Sequence, residues 1–137
     1  MRRKAILVDL DQTLSIPGKR NTWDQTYCHH DLVHEPTKKI VRDHFNRGFE
    51  VIILTARPVE CSKATRWWLK KHNINYSILL MKPWNQSKDG ESALEWKKRA
   101  YLTMIEDRWH VQLVLDDDPE VCVMFAELHL PVTQVVH

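Results

Sequence analysis

Two groups of aspartates carry the chemistry this sequence offers. Asp9-Leu10-Asp11-Gln12-Thr13 follows one short apolar run, and Asp116-Asp117-Asp118 follows another. Acidic groups this close repel one another and raise each other's pKa unless a cation compensates. A hard divalent ion with oxygen ligands, such as Mg²⁺, suits them. Helix capping is the plainer reading of acidic residues after a strand. It fits Asp118-Pro119, an N-cap followed by N1. It does not account for Asp9 and Asp11, because no helix follows them at once. The two groups together point to a metal site drawn from Asp9, Asp11, Asp116 and Asp117. The sequence does not decide between Asp116 and Asp117 as the main ligand.

The elements that must position these groups alternate along the chain. Lys4 to Asp9 contains Ala-Ile-Leu-Val, a continuous apolar run suited to a strand buried on both faces. Glu50 to Thr55, Ser77 to Met81 and Val111 to Leu115 read the same way, and Thr133 to Val136 reads as a last strand. Between them lie four expected helices. Thr37 to Arg47 is bracketed by Pro36 and Gly48. Cys61 to His72 places Ala64, Trp67, Trp68 and Lys71 on one face, with both tryptophans expected in packing. Ser92 to Arg108 is the longest, and Pro119 to Leu128 follows the aspartates. The alternation predicts an α/β fold: about five parallel strands between two helical layers. In such sheets ligands bind beyond the carboxyl ends of the strands, where the aspartates lie.

Bulk properties agree with one domain over residues 1–137. The chain is 43% hydrophobic and 28% charged, with a net charge of only +2, so charge alone does not imply a nucleic-acid binder. No apolar run approaches the roughly 20 residues of a membrane span. Cys28, Cys61 and Cys122 are odd in number and widely spaced, so no disulfide framework is expected and a cytoplasmic setting is the default. No membrane and no obligate protein partner is expected.

Asp9-x-Asp11-x-Thr13-Leu14 after an apolar strand resembles the first motif of the haloacid-dehalogenase superfamily. Ile53-Leu54-Thr55-Ala56-Arg57 resembles the second, and Leu115-Asp116-Asp117-Asp118 the fourth. The resemblance implies a Rossmann-like fold, Mg²⁺, Asp9 as the nucleophile that becomes an aspartyl phosphate, Asp11 as general acid and base, and a phosphate contact at Thr55. Gln12 departs from the pattern, since many members have Gly there.

The family's third motif is a lysine, and two compete for it. Lys97 shares a stripe with Ala93, Ala100, Tyr101 and Met104, which turns it inward near the start of its helix. A buried ammonium needs a partner, and a strand-end carboxylate such as Asp9 is the natural one. Lys82, after the third strand, is expected at the substrate.

Two long loops follow the first and third strands, at Gln12 to Glu35 and Lys82 to Glu91. The first, a cap-like loop at about 12–36, is too short for a separate cap domain, so the site should admit large substrates. The motifs, the helix with Thr65-Arg66-Trp67-Trp68, and the loop sizes resemble the 3′-phosphatase domains of phage polynucleotide kinase/phosphatases. That resemblance implies phosphorylated DNA or RNA ends as substrate, with Thr13, Arg57 and Lys82 at substrate or active-site groups. Trp23 and Tyr27, in the long loop, are placed to stack a terminal base, or to anchor the loop. Cys28, His29, His30 and His34 match no common zinc spacing and read as a polar loop. With glycine only at 18, 48 and 90, no GxxxxGK loop is possible and a kinase half is expected to be absent. A phosphatase of phosphoprotein or nucleotide, or an inactive binding module with this fold, are the alternatives.

Overall fold

The computed structural model describes residues 2–17, 30–83 and 90–136. The elements run β1 (Arg3–Val8), β2 (Ser15–Ile16), β3 (Leu32–Val33), α1 (Glu35–Asn46), β4 (Glu50–Pro58), α2 (Ser62–Lys71), β5 (Ile78–Lys82), α3 (Ala93–Ala100), β6 (Trp109–Asp116), α4 (Pro119–Glu127) and β7 (Val132–Gln134). A 3₁₀ turn, Val59–Cys61, leads into α2, and a π turn, Tyr101–Ile105, prolongs α3. The sheet order is β5-β4-β1-β6-β7, and every pair is parallel.

The apolar runs explain the layers. Alternate residues of a strand face opposite ways. Ala5 and Leu7 of β1 join Ile52 and Leu54 of β4 in a core with Trp96, Ala100, Val121 and Phe125 of α3 and α4. Ile6 and Val8 join Val51 and Ile53 in a second core with Val41 of α1 and Trp68 and Leu69 of α2. A strand with both faces covered has no polar face to show in its sequence. The expected three-layer α/β sandwich is what forms.

Helix ends follow local chemistry. Pro36 falls within the first turn of α1, and Gly48, at φ +90°, takes the left-handed position after its end. Ser92 and Glu95 form a capping box at α3, and the Asp118 side chain accepts from the Glu120 amide at α4.

Three local expectations are corrected. Ser15–Ile16 and Leu32–Val33 pair antiparallel inside what reads as a loop, and runs of two residues carry no periodicity to detect. In α2 the inward face is Thr65, Trp68 and Leu69; Trp67 is 51% exposed, with the Lys71 ammonium 5.1 Å above its ring. In α3 the expected stripe shifts: Trp96 and Ile105 are buried, and Met104 only partly. The Glu106 amide bonds back five residues to the Tyr101 carbonyl, and this widened turn brings Ile105 inward.

Candidate active site

β1 is the middle strand, and its neighbours end level with it. Val8 pairs with Ile53 of β4 and Leu115 of β6. Asp9 therefore emerges beside Asp116, and its amide donates to the Leu115 carbonyl at 2.9 Å. One carboxylate oxygen from each of Asp9, Asp116 and Asp117 lies within 4.8 Å of the others. Asp9 and Asp116 are buried. Burial, the Asp9 charge and the hydrogen bonding around it push Asp116 up to about 6, against the pull of Lys97. Burial, a hydrogen bond to Asp9 and the charges of Asp9 and Asp116 push Asp117 up to about 7. Three carboxylates gathered at such electrostatic cost form a hard oxygen set that a divalent cation fits.

Lys97 reaches into this group from α3. Its ammonium donates to Asp9 Oδ1 at 2.8 Å and to Asp116 Oδ2 at 2.7 Å, and the residue is 4% exposed. Burial opposes its charge, but the two carboxylates outweigh that and raise its pKa above the usual lysine range. The preceding residue fixes the helix: the Trp96 indole donates to the Thr55 carbonyl at 2.8 Å, tying α3 to the end of β4. Thr13 turns its hydroxyl to Asp9 Oδ2 at 2.8 Å, so both oxygens of Asp9 have partners.

Asp11 belongs to a different network. Arg57 grips it through Nε, 3.1 Å from both oxygens, and Nη2, 2.8 Å from Oδ1. The same guanidinium reaches Asp31 Oδ2 at 3.0 Å, Thr65 Oγ1 at 3.1 Å and Ser15 Oγ at 3.2 Å. The Trp68 indole donates to the Asp31 carbonyl at 2.8 Å, locking the approach to β3 onto α2. Thr55 Oγ1 accepts from the Arg57 amide at 3.1 Å. Asp9, Asp11, Gln12, Thr55, Arg57, Lys97 and Asp116 to Asp118 line one cavity of about 490 Å³.

The model of the polynucleotide kinase PNKP phosphatase domain matches residues 3–137. The chain belongs to this family. It is therefore a haloacid-dehalogenase-type phosphatase domain. Solved chains from structures of the Pnkp1/Rnl/Hen1 complex and the Pnkp1/Rnl/Hen1 RNA repair complex superpose with TM-scores of 0.90 and 0.89, each at 31% identity and over 98% of this chain. A candidate bifunctional polynucleotide kinase/RNA ligase of Autographa californica nuclear polyhedrosis virus is 27% identical over 135 residues, 93% of this chain. The relatives are longer: this chain spans 46% and 42% of the solved chains and 18% of the viral protein.

In this PNKP phosphatase domain the expected residues divide sharply. Asp9, Lys97, Asp116 and Asp117 converge, and of the two competing lysines Lys97 makes the contact with Asp9. Asp11 was expected among the metal ligands, but its carboxylate lies outside that group, held by Arg57. Thr13 was expected at the substrate; it is fully buried and orients Asp9 instead. Arg57 is 1% exposed, and the active-site group it contacts is Asp11. Lys82 is at the rim, its backbone paired with Pro58, which lines the cavity. Trp23, Tyr27, Cys28 and His29 lie outside the described residues. His34 bonds Thr37 Oγ1 at 2.7 Å at the start of α1. Sequence reasoning missed Asp31. It is 3% exposed, and no motif marks it; its only signal is an acidic residue directly before the apolar Leu32-Val33.

Proposed function

We propose that this domain removes 3′-phosphates from DNA or RNA ends, with Mg²⁺, through a phosphorylated Asp9. The observation that carries the mechanism is the separation of the two carboxylates of the first motif. Asp9 sits with Lys97 and the acidic pair. Asp11 faces the same cavity but is held apart by Arg57. One carboxylate is placed to attack while the other is placed to carry a proton.

When bound by Asp9, Asp116 and Asp117, Mg²⁺ would neutralise phosphate charge as a Lewis acid. The chain's own groups do the rest. An Asp9 oxygen forms a bond to phosphorus, and the bond from phosphorus to the ester oxygen breaks. Asp11 gives that oxygen a proton. Water then attacks the phosphorus of the acyl phosphate, Asp11 takes its proton back from the water, and Asp9 is released with inorganic phosphate. Lys97 holds Asp9 in line and offsets its charge. The Thr55 hydroxyl, in the cavity wall, is available to a phosphate oxygen.

The family supports a polynucleotide end as substrate. So does the short connection: residues 17–31 join β2 to β3, too few for a separate folded cap. Trp23 extends the proposal as a stacking surface for the terminal base, and Lys82 as a cation at the rim. The test is a panel of one short strand bearing either a 3′- or a 5′-phosphate, run beside phosphopeptides and mononucleotides. The 3′-phosphate should be hydrolysed fastest, with little dependence on base sequence. Preference for any other member of the panel overturns the substrate assignment.

A further inference from the structure

Gln12 occupies a backbone conformation that glutamine rarely adopts, φ +66°, in the middle of the catalytic loop. A glycine takes that conformation without cost. The turn itself needs no side chain here. Its bonds are main-chain ones: the Gln12 amide donates to the Ser15 carbonyl at 2.7 Å, and the Leu14 and Ser15 amides to the Leu10 carbonyl at 3.0 and 2.9 Å. Strain of this kind persists where the surroundings impose it, and it clusters at functional sites. The side chain it retains faces the reaction, for Gln12 lines the cavity together with Asp9 and Asp11.

The chemistry of the lining says what an amide adds. Ionised carboxylates only accept hydrogen bonds. Lys97 and Arg57 donate, but to Asp9 and Asp116, and to Asp11 and Asp31. Gln12 brings a carbonyl oxygen and two N–H groups on one neutral head, the complement of a hydroxyl, which donates and accepts at once. Its place in the chain says which hydroxyl. The next residue back is Asp11, whose proton goes to the leaving oxygen, so Gln12 meets what is attached beside that oxygen. On a ribonucleotide 3′-phosphate that neighbour is the 2′-hydroxyl, the group by which a protein tells RNA from DNA.

We propose that Gln12 is a specificity residue that bonds the 2′-hydroxyl beside the scissile phosphate and makes the site favour ribose ends; the proposal rests on the 3′-phosphatase reading above. The experiment uses two strands of one sequence with a 3′-phosphate, identical except for ribose or 2′-deoxyribose in the last nucleotide. kcat/KM is measured for wild type, Gln12→Gly and Gln12→Glu. Wild type should favour the ribose end by about tenfold, the scale of one solvent-accessible hydrogen bond. Gln12→Gly should bring the ratio within about twofold of one, through loss on the ribose strand. Gln12→Glu, which keeps an acceptor but no N–H, should retain only part of the ratio. Equal rates in wild type, or a preference that survives Gln12→Gly, overturn the assignment of Gln12. Wild-type protein that hydrolyses p-nitrophenyl phosphate but neither strand fails differently: it overturns the 3′-phosphatase reading beneath it.

Discussion

Arg57 holds Asp11 with two nitrogens and, with the same guanidinium, reaches Asp31 at 3.0 Å. The planar fork suits this, since it presents fixed donors to both carboxylates at once. Asp31 thus sets where Arg57 lies, and Arg57 sets where Asp11 points.

Asp31→Asn should therefore slow a substrate whose leaving group needs a proton more than one whose leaving group does not. We expect about a tenfold fall in kcat on an oligonucleotide phosphate and a smaller fall on p-nitrophenyl phosphate, as for other losses of a positioned proton donor. Equal losses on both would make Asp31 a residue of the fold alone.

Asp9→Asn should abolish turnover, by on the order of 10⁴-fold or more, because an amide forms no acyl phosphate. Its shape is unchanged and Lys97 keeps Asp116, so the thermal transition should persist. Acid-quenched protein would carry labelled phosphate in the wild type and none in the variant. Label retained in a folded Asp9→Asn protein would remove Asp9 from the role.

Lys97→Met should cut turnover by about 100-fold, the scale of losing one preorganised charge. Continuing the apolar stripe does not rescue stability. The variant leaves Asp9 and Asp116 buried without their shared cation, which costs about 3 kcal/mol. Denaturant titration reads this directly, and saturating Mg²⁺ should recover part of it.

Acidity and metal should oppose one another. Asp116 and Asp117 have folded-state pKa values raised to about 6 and about 7. Their stabilising contribution is full below the unfolded carboxylate range, near 3.9, and is lost as pH climbs through those values. Without metal, this cluster costs stability at pH 8 and not at pH 4. Mg²⁺ needs the ionised form, so the rise in Tm it produces should be large at pH 8 and small at pH 5. An Mg²⁺ effect independent of pH, or activity in excess chelator, would contradict the site.

Gln12→Gly should raise stability by about 1 kcal/mol, since φ +66° penalises a side chain there. For a chain of this size that is a Tm increase of a few degrees. An unchanged or lowered Tm would mean the side chain repays its own strain.

The sheet and its aspartates were legible because a buried parallel strand is written as an uninterrupted apolar run, and because ligands collect where such strands end. Ile6-Leu7-Val8-Asp9 says both things in four residues. Lys97 was legible from its stripe, although Trp96 and Ile105 were not, because a single π turn breaks the 3.6-residue count. Arg57 and Asp31 were the hard part. A charge at the end of a strand looks solvated, and its burial depends on a partner distant in sequence. Thr13 misled for the same reason. Its type says hydroxyl, but only packing says which oxygen receives the hydrogen.

The middle position of β1 has a consequence for how the domain is made. The nucleophile lies near the start of the chain, while Lys97, Asp116 and Asp117 come from its later part. During synthesis β1 can pair with β4 as soon as that hairpin of strand, helix and strand has emerged, but the edge facing β6 stays vacant until the last third of the chain follows. Pairs so distant in sequence close late and slowly. Asp9 is therefore without its cation, its ligand partners and one flank of its sheet until assembly is nearly complete. Phosphatase activity in this domain reports a finished fold, and a chain cut short before β6 carries the first motif with no chemistry behind it.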